Sequence, residues 1–161
     1  MPDPDFSQSN EGNIRIADVL DRIADLLEFK DDNPFKIRSY RLAAEAVREM
    51  SRSVAEIAER GASALLEIES VGKSISSQIV EIVRTGTSSY LESLKREIPE
   101  TVLDLLRIRG VGIKTAQLLH KDFGISSLED LKVFAEGGGL ESVQGLGEKM
   151  IRRIREEVSK L

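Results

Sequence analysis

Leu105-Leu106-Arg107-Ile108-Arg109-Gly110-Val111-Gly112-Ile113-Lys114-Thr115-Ala116 is the stretch whose reading decides the fold. Apolar residues run up to a Gly-Val-Gly step and resume beyond it, which reads as two helices joined by a tight hairpin. Val111, between the glycines, can point back and pin the helices together. Glycine has no Cβ, so the backbone is free to take a positive φ and to let another molecule come close. The helix that opens after Gly112 leaves its first amide N–H groups unpaired, a natural seat for a phosphate oxygen. Lys114 stands in the first turn, where a cation gains nothing from the helix dipole but reaches a bound phosphate. Gly110, Val111, Gly112, Ile113, Lys114 and Thr115 are therefore candidate contacts to a nucleic-acid backbone.

The pattern recurs. Leu65-Leu66-Glu67-Ile68-Glu69-Ser70-Val71-Gly72 aligns with Leu105 to Gly112, and Glu141-Ser142-Val143-Gln144-Gly145-Leu146-Gly147-Glu148-Lys149 is a third copy. Each has an apolar residue three positions before its central Val or Leu. The first two copies are followed by a helix, a Gly stop at Gly86 or Gly124, and then Ser88-Ser89-Tyr90-Leu91-Glu92 or Ser126-Ser127-Leu128-Glu129. Near-constant spacing of a supersecondary unit marks a repeat architecture, here one that resembles the helix-hairpin-helix motif. Val71, Gly72, Lys73 and Ser74 join the candidate contacts, as do Gly145, Leu146, Gly147, Glu148 and Lys149. Ser70 replaces the first glycine of copy one, so a looser backbone approach is expected there. Gly72-Lys73-Ser74 looks like the end of a P-loop, but Glu67 stands where its opening glycine belongs and no strand precedes it. Gly137-Gly138-Gly139 reads as a flexible link.

Composition excludes several classes. The 161 residues suffice for one ordinary domain or two small ones. Aromatics at 4% argue against a β-sandwich or barrel core, and the absence of Cys removes disulfides, thiolate metal sites and thiol nucleophiles. His120, the single histidine, leaves no histidine cluster for a metal. No apolar run approaches membrane-spanning length. The net charge of −5 argues against broad cationic affinity for DNA, although three of the acidic groups, Asp3, Asp5 and Glu11, fall in the leading segment. Any grip must be local, made by helix N-termini and a few placed cations.

Residues 1–13 read as a Pro-, Asp- and Ser-rich disordered leader, with Asn13 as N-cap of a helix to about Phe29. Asn33-Pro34 caps a second helix that interleaves Phe35 and Tyr40 with Lys36, Arg38, Arg41 and Arg48. Exposed rings beside cations suit base stacking. Ser53 and Glu56 form a capping-box pair for a third.

The segments Asn33-Pro34-Phe35-Lys36-Ile37-Arg38-Ser39-Tyr40-Arg41, the first hairpin, and Leu91-Glu92-Ser93-Leu94-Lys95-Arg96-Glu97-Ile98-Pro99 leading into the second resemble the N-terminal part of family X (polymerase-beta-like) DNA polymerases, bacterial members above all. The resemblance covers residues 14–161. It implies an N-terminal helical domain that holds the 5′-phosphate side of a DNA gap, with Lys36 and Tyr40 in the phosphate pocket. It implies that the second hairpin belongs to a fingers-like subdomain on the primer side, and that a third precedes the catalytic domain. It further implies a monovalent cation, K+ or Na+, at backbone carbonyls of Leu66, Ile68 and Val71 or of Leu106, Ile108 and Val111. Two departures point away from an enzyme. The chain stops at Leu161, before any palm aspartates, and the family's lyase lysine, six residues past the hairpin's last glycine, is Gln78, which forms no Schiff base. Ser74 stands in place of a nearby family lysine, and Lys73 is the amine left at the helix start.

The expectation is an all-α protein of two helical subdomains built on tandem hairpins, residues 14–86 and 87–161, after a leader over 1–13. Its expected function is non-sequence-specific binding to gapped, nicked or branched DNA in repair. Lys36, Arg38, Tyr40 and Arg41 would take the 5′-phosphate, and the later hairpins would clamp duplex backbone. No cofactor is required beyond the hairpin cation. The expected partners are DNA and a separate catalytic protein, in the cytoplasm and on the nucleoid, with no membrane. Two alternatives stand: the DNA-binding part of a family X polymerase with catalysis outside this chain, and a helical protein–protein adaptor.

Overall fold

The computed structural model describes residues 9–161, all of whose regular elements are helical. Residues 1–8 of the leader expected over 1–13 lie outside the described residues. From Ser9 onward the chain is already helical, so the first helix starts earlier than Asn13. The chain divides into two compact units, one ending at Glu97 and the other spanning Ile98–Leu161.

The first unit comprises α1 (Ser9–Phe29), α2 (Pro34–Glu49), α3 (Val54–Glu59), a 3-10 helix (Ala62–Glu67), α4 (Lys73–Thr85) and α5 (Ser89–Glu97). Ile16, Leu20, Ile23 and Leu27 recur at helical spacing on α1 and are fully buried, and α1 packs chiefly against α2 through Ala43, Ala44 and Val47. Asn33 caps α2 as expected, its side chain accepting from the Phe35 amide at 2.9 Å, and Ser53 caps α3 by accepting from Glu56 at 3.3 Å. Asn13 is not a cap. It lies inside α1, 1% exposed, and its amide donates to the Met50 and Arg52 carbonyls at 3.2 and 2.8 Å while accepting from the Val54 amide at 2.9 Å. It satisfies the backbone of the α2–α3 turn, a tertiary task that local sequence does not reveal.

The expected boundary at 86/87 falls inside this unit. α5 buries Leu91 and Leu94 and packs on α1, and Lys30 pairs with Glu97 at 2.8 Å, so α5 stays with the first unit. The second unit comprises a 3-10 helix (Glu100–Arg107), α6 (Ile113–Phe123), α7 (Leu128–Glu136), a 3-10 turn (Gly139–Ser142) and α8 (Glu148–Ser159). Its core gathers Val102, Leu105, Leu119, Leu131, Leu140 and Ile154. Within the glycine run, Gly139 is close-packed, for a Cβ there would lie 2.4 Å from the Phe134 ring, whereas a Cβ on Gly138 would meet nothing within 4 Å.

Candidate nucleic-acid interface

The three hairpins have one geometry. The amides of Val71, Val111 and Leu146 donate to the carbonyls of Ile68, Ile108 and Val143 at 3.1, 3.0 and 3.3 Å. Those three residues in turn donate to Leu65, Leu105 and Leu140 at 3.0, 3.2 and 3.1 Å. Ile68, Ile108 and Val143 are buried, as are Val71 and Val111, while Leu146 is half-buried. The apolar residue three before the central one is therefore the anchor of each turn. Gly72, Gly112 and Gly147 then stand as N-caps of α4, α6 and α8 with no side-chain cap, which leaves each helix's first amides to an outside acceptor. Lys73, Ser74, Lys114, Glu148 and Lys149 are exposed in those first turns, with Ile113 and Thr115 half-buried.

The two glycines of a hairpin do different work. Gly110 has φ +101°, and a Cβ there would sit 3.1 Å from Met150 Sδ and 3.4 Å from Ile154 Cγ1, so α8 packs directly onto the second hairpin. Gly112 has φ −91° and ψ −178°, extended backbone open to any residue, and a Cβ there meets nothing within 4 Å. The fold does not require glycine at 112. In the first hairpin Ser70 takes φ +71°, in the left-handed region that Gly110 also occupies.

The first hairpin also borders a pocket of about 320 Å³ lined by Lys36, Ser39, Tyr40, Ser70, Gly72, Lys73, Ser74 and Ile75. The structure thus brings together, from α2 and the start of α4, residues that lie more than thirty positions apart in the chain. Lys36 and Lys73 supply positive charge beside the α4 N-terminus, an arrangement suited to an anion. Tyr40 is 3% exposed, so its ring is closed to base stacking. Burial, together with the neighbouring Tyr90 and against a hydrogen bond from Ser74, pushes its pKa up to about 12. It therefore stays a neutral hydroxyl across the physiological range. Phe35, 80% exposed, is the ring that remains available.

The basic face of α2 is partly spent within the fold. Arg41 pairs with Asp25, Glu28 and Asp21 of α1 at 2.6, 3.1 and 3.5 Å. Desolvation weighs against its charge, but those carboxylates outweigh it and raise its pKa. Arg48 pairs with Asp18 and Asp21 at 2.9 and 3.0 Å. Arg41 points away from the pocket lined by Lys36 and Tyr40, and with Arg38 borders a separate groove with Asp31 and Asp32. Tyr90 was not anticipated. The chain's two tyrosines pack with ring centroids 6.2 Å apart, and Lys36 Nζ stands 4.8 Å from the Tyr90 centroid. An aromatic on another helix, fifty residues from its partner, leaves no periodic signal.

Gln78 accepts a hydrogen bond from Ser88 at 2.8 Å, tying α4 to the start of α5. Among the described residues there is no His, Cys, Asp and Glu cluster suited to a metal ion. The carbonyls of Ile68 and Ile108 each accept one hydrogen bond from the hairpin Val amide, and a carbonyl oxygen has a second lone pair for a cation.

Residues 11–88 match the family described as Helix-hairpin-helix domain, and residues 102–160 match the SAM-like Helix-hairpin-helix tandem. Both units are helix-hairpin-helix domains. Such domains characteristically bind DNA without reading sequence, as expected of a contact made by backbone amides to phosphates. The helix-hairpin-helix chain is also similar to the DNA polymerase/3′-5′ exonuclease PolX of Bacillus subtilis (strain 168), a family X DNA polymerase, with 35% identity over 139 residues. The match covers 86% of this chain and 24% of PolX. The chain therefore spans about a quarter of that relative's length.

Proposed function

We propose that this chain is a non-catalytic, non-sequence-specific DNA-binding module that acts on gapped, nicked or branched DNA in repair. The second and third hairpins hold duplex backbone through the amides beyond Gly112 and Gly147, with Lys114 and Lys149 beside them. The pocket at the first hairpin takes a 5′-phosphate. The observation that carries this reading is the convergence of Lys36, Lys73, the neutral Tyr40 hydroxyl and the uncapped α4 N-terminus on one pocket. Arg38 contributes charge nearby. Arg41, held by α1, contributes little.

Gln78 has no nucleophilic amine, so phosphate binding proceeds without lyase chemistry. Borohydride trapping on an abasic 5′ end should give no adduct, and an adduct would overturn this assignment. A K+ or Na+ ion on carbonyls of Leu66, Ile68 and Val71, or of Leu106, Ile108 and Val111, would bridge a hairpin to a phosphate and offset the acidic net charge locally. Replacing KCl by tetramethylammonium chloride at equal ionic strength should then weaken binding. The module works in the cytoplasm and on the nucleoid; no described helix is long and apolar enough to cross a membrane.

The similarity to PolX favours a second reading, in which these contacts serve a polymerase whose catalysis lies outside this chain or is supplied by a separate protein. Affinity for a short-gap duplex with a 5′-phosphate, against the same duplex intact, at two KCl concentrations tests the common core of both readings. Preference for the gap with a shallow salt dependence supports two local grips. Equal and steeply salt-dependent binding leaves only a generic clamp, and no binding at low salt turns the reading toward a protein adaptor.

A further inference from the structure

We infer that Tyr90 is a positioning residue that holds the Lys36 ammonium at the mouth of the first-hairpin pocket, and so sets the preference for a terminal phosphate. The inference rests on the phosphate-pocket reading above. A lysine on an exposed helix face has a long flexible stem and spreads its charge over many rotamers. Here Lys36 Nζ lies 4.8 Å from the centroid of the half-buried Tyr90 ring, within the range in which a ring face attracts a cation. The ring is itself fixed, packed at 6.2 Å and 30° against Tyr40, which is buried and lines the same pocket. A chain of contacts thus runs from α5 through both tyrosines to the pocket-lining lysine.

The repeats supply an independent observation. Ser88-Ser89-Tyr90-Leu91-Glu92 resembles Ser126-Ser127-Leu128-Glu129, which carries no tyrosine. In the first copy the hairpin meets a lysine from a preceding helix, α2. A hairpin that binds an internal phosphodiester needs only its amides. A terminal phosphate carries more charge and rewards a second, fixed cation.

The test compares the full chain with Tyr90→Leu, Tyr90→Phe and Lys36→Gln on a short-gap duplex bearing a 5′-phosphate and on the same duplex bearing a 5′-hydroxyl. Fluorescence anisotropy gives the ratio of the two affinities. The Lys36 Hε proton shifts of the free protein report whether the amine sits over a ring. Lys36→Gln should lower the phosphate preference further than Tyr90→Leu does, leaving the part that Lys73 and the α4 amides supply. Tyr90→Leu should lower it about threefold, the worth of an exposed cation–ring contact, with 5′-hydroxyl binding unchanged, the melting temperature lowered modestly by the lost packing on Tyr40, and the upfield Lys36 shift lost. Tyr90→Phe should behave as wild type. An unchanged preference in Tyr90→Leu, an equal loss on both duplexes, or a Phe variant as weak as the Leu variant would each overturn the assignment. A wild-type chain with no preference refutes the phosphate-pocket reading instead, and the Lys36 shift then still decides whether Tyr90 holds the amine.

Discussion

Gly112→Ala and Gly110→Ala, two residues apart, should separate DNA contact from fold. At Gly112 the backbone is extended and a Cβ meets nothing within 4 Å. Alanine is a poorer N-cap than glycine by roughly 0.5–1 kcal/mol, while it removes unfolded-state freedom worth about 0.4–1 kcal/mol. The two nearly cancel, so stability should change by less than about 0.5 kcal/mol, or under ~4 °C in the melting of a unit this size. A methyl group at this point holds a phosphate away from the α6 amides. Losing one charge-assisted hydrogen bond of about 1.5–3 kcal/mol weakens binding on the order of tenfold or more. Gly110→Ala does the reverse. Its φ of +101° and the Met150 Sδ at 3.1 Å make alanine strained and crowded, at a cost of about 2 kcal/mol. Anisotropy with a labelled duplex and thermal melting by circular dichroism measure both variants. If Gly112→Ala is folded and binds within about twofold of wild type, the hairpin-amide mechanism is wrong.

Glu148→Gln should raise duplex affinity about twofold, because a carboxylate in the first turn of α8 opposes an incoming phosphate; titration at low salt will show it, and a fall in affinity would assign Glu148 a direct role. Arg38→Gln should weaken DNA binding more than Arg41→Gln, since Arg41 is held by Asp25 and Glu28; equal losses in parallel titrations would contradict that ordering. Asn13→Ala strips hydrogen bonds from the Met50 and Arg52 carbonyls and the Val54 amide and should destabilise the first unit by about 2–3 kcal/mol, read by urea unfolding. The raised Tyr40 pKa gives an alkaline signature: its contribution is fully present below pH 10 and is lost as pH rises toward about 12, since only the unfolded state ionises readily. Tyr40→Phe should flatten this part of the stability–pH curve, and an unchanged curve would place the alkaline loss elsewhere.

Much of this protein is local. Helical periodicity, Asn33 and Ser53 as caps, the stops at Gly86 and Gly124, and the thrice-repeated hairpin all depend on residues within a turn or two of one another. Sequence alone therefore determined the all-α class, the three glycine-capped helix starts after the hairpins and the resemblance to family X polymerases. It did not determine which cations are free, because Arg41 and Lys36 sit on the same helix with similar neighbours. Only the packing of α1 against α2 decided that carboxylates of α1 claim the first and leave the second to the pocket. Nor did it determine the task of Asn13, the pairing of Tyr40 with Tyr90, or the place of α5 in the first unit. Each is a contact between segments distant along the chain. A linear pattern carries the preferences of a residue for its own helix, and the burial and charge that a partner helix brings are fixed only when the two are packed together.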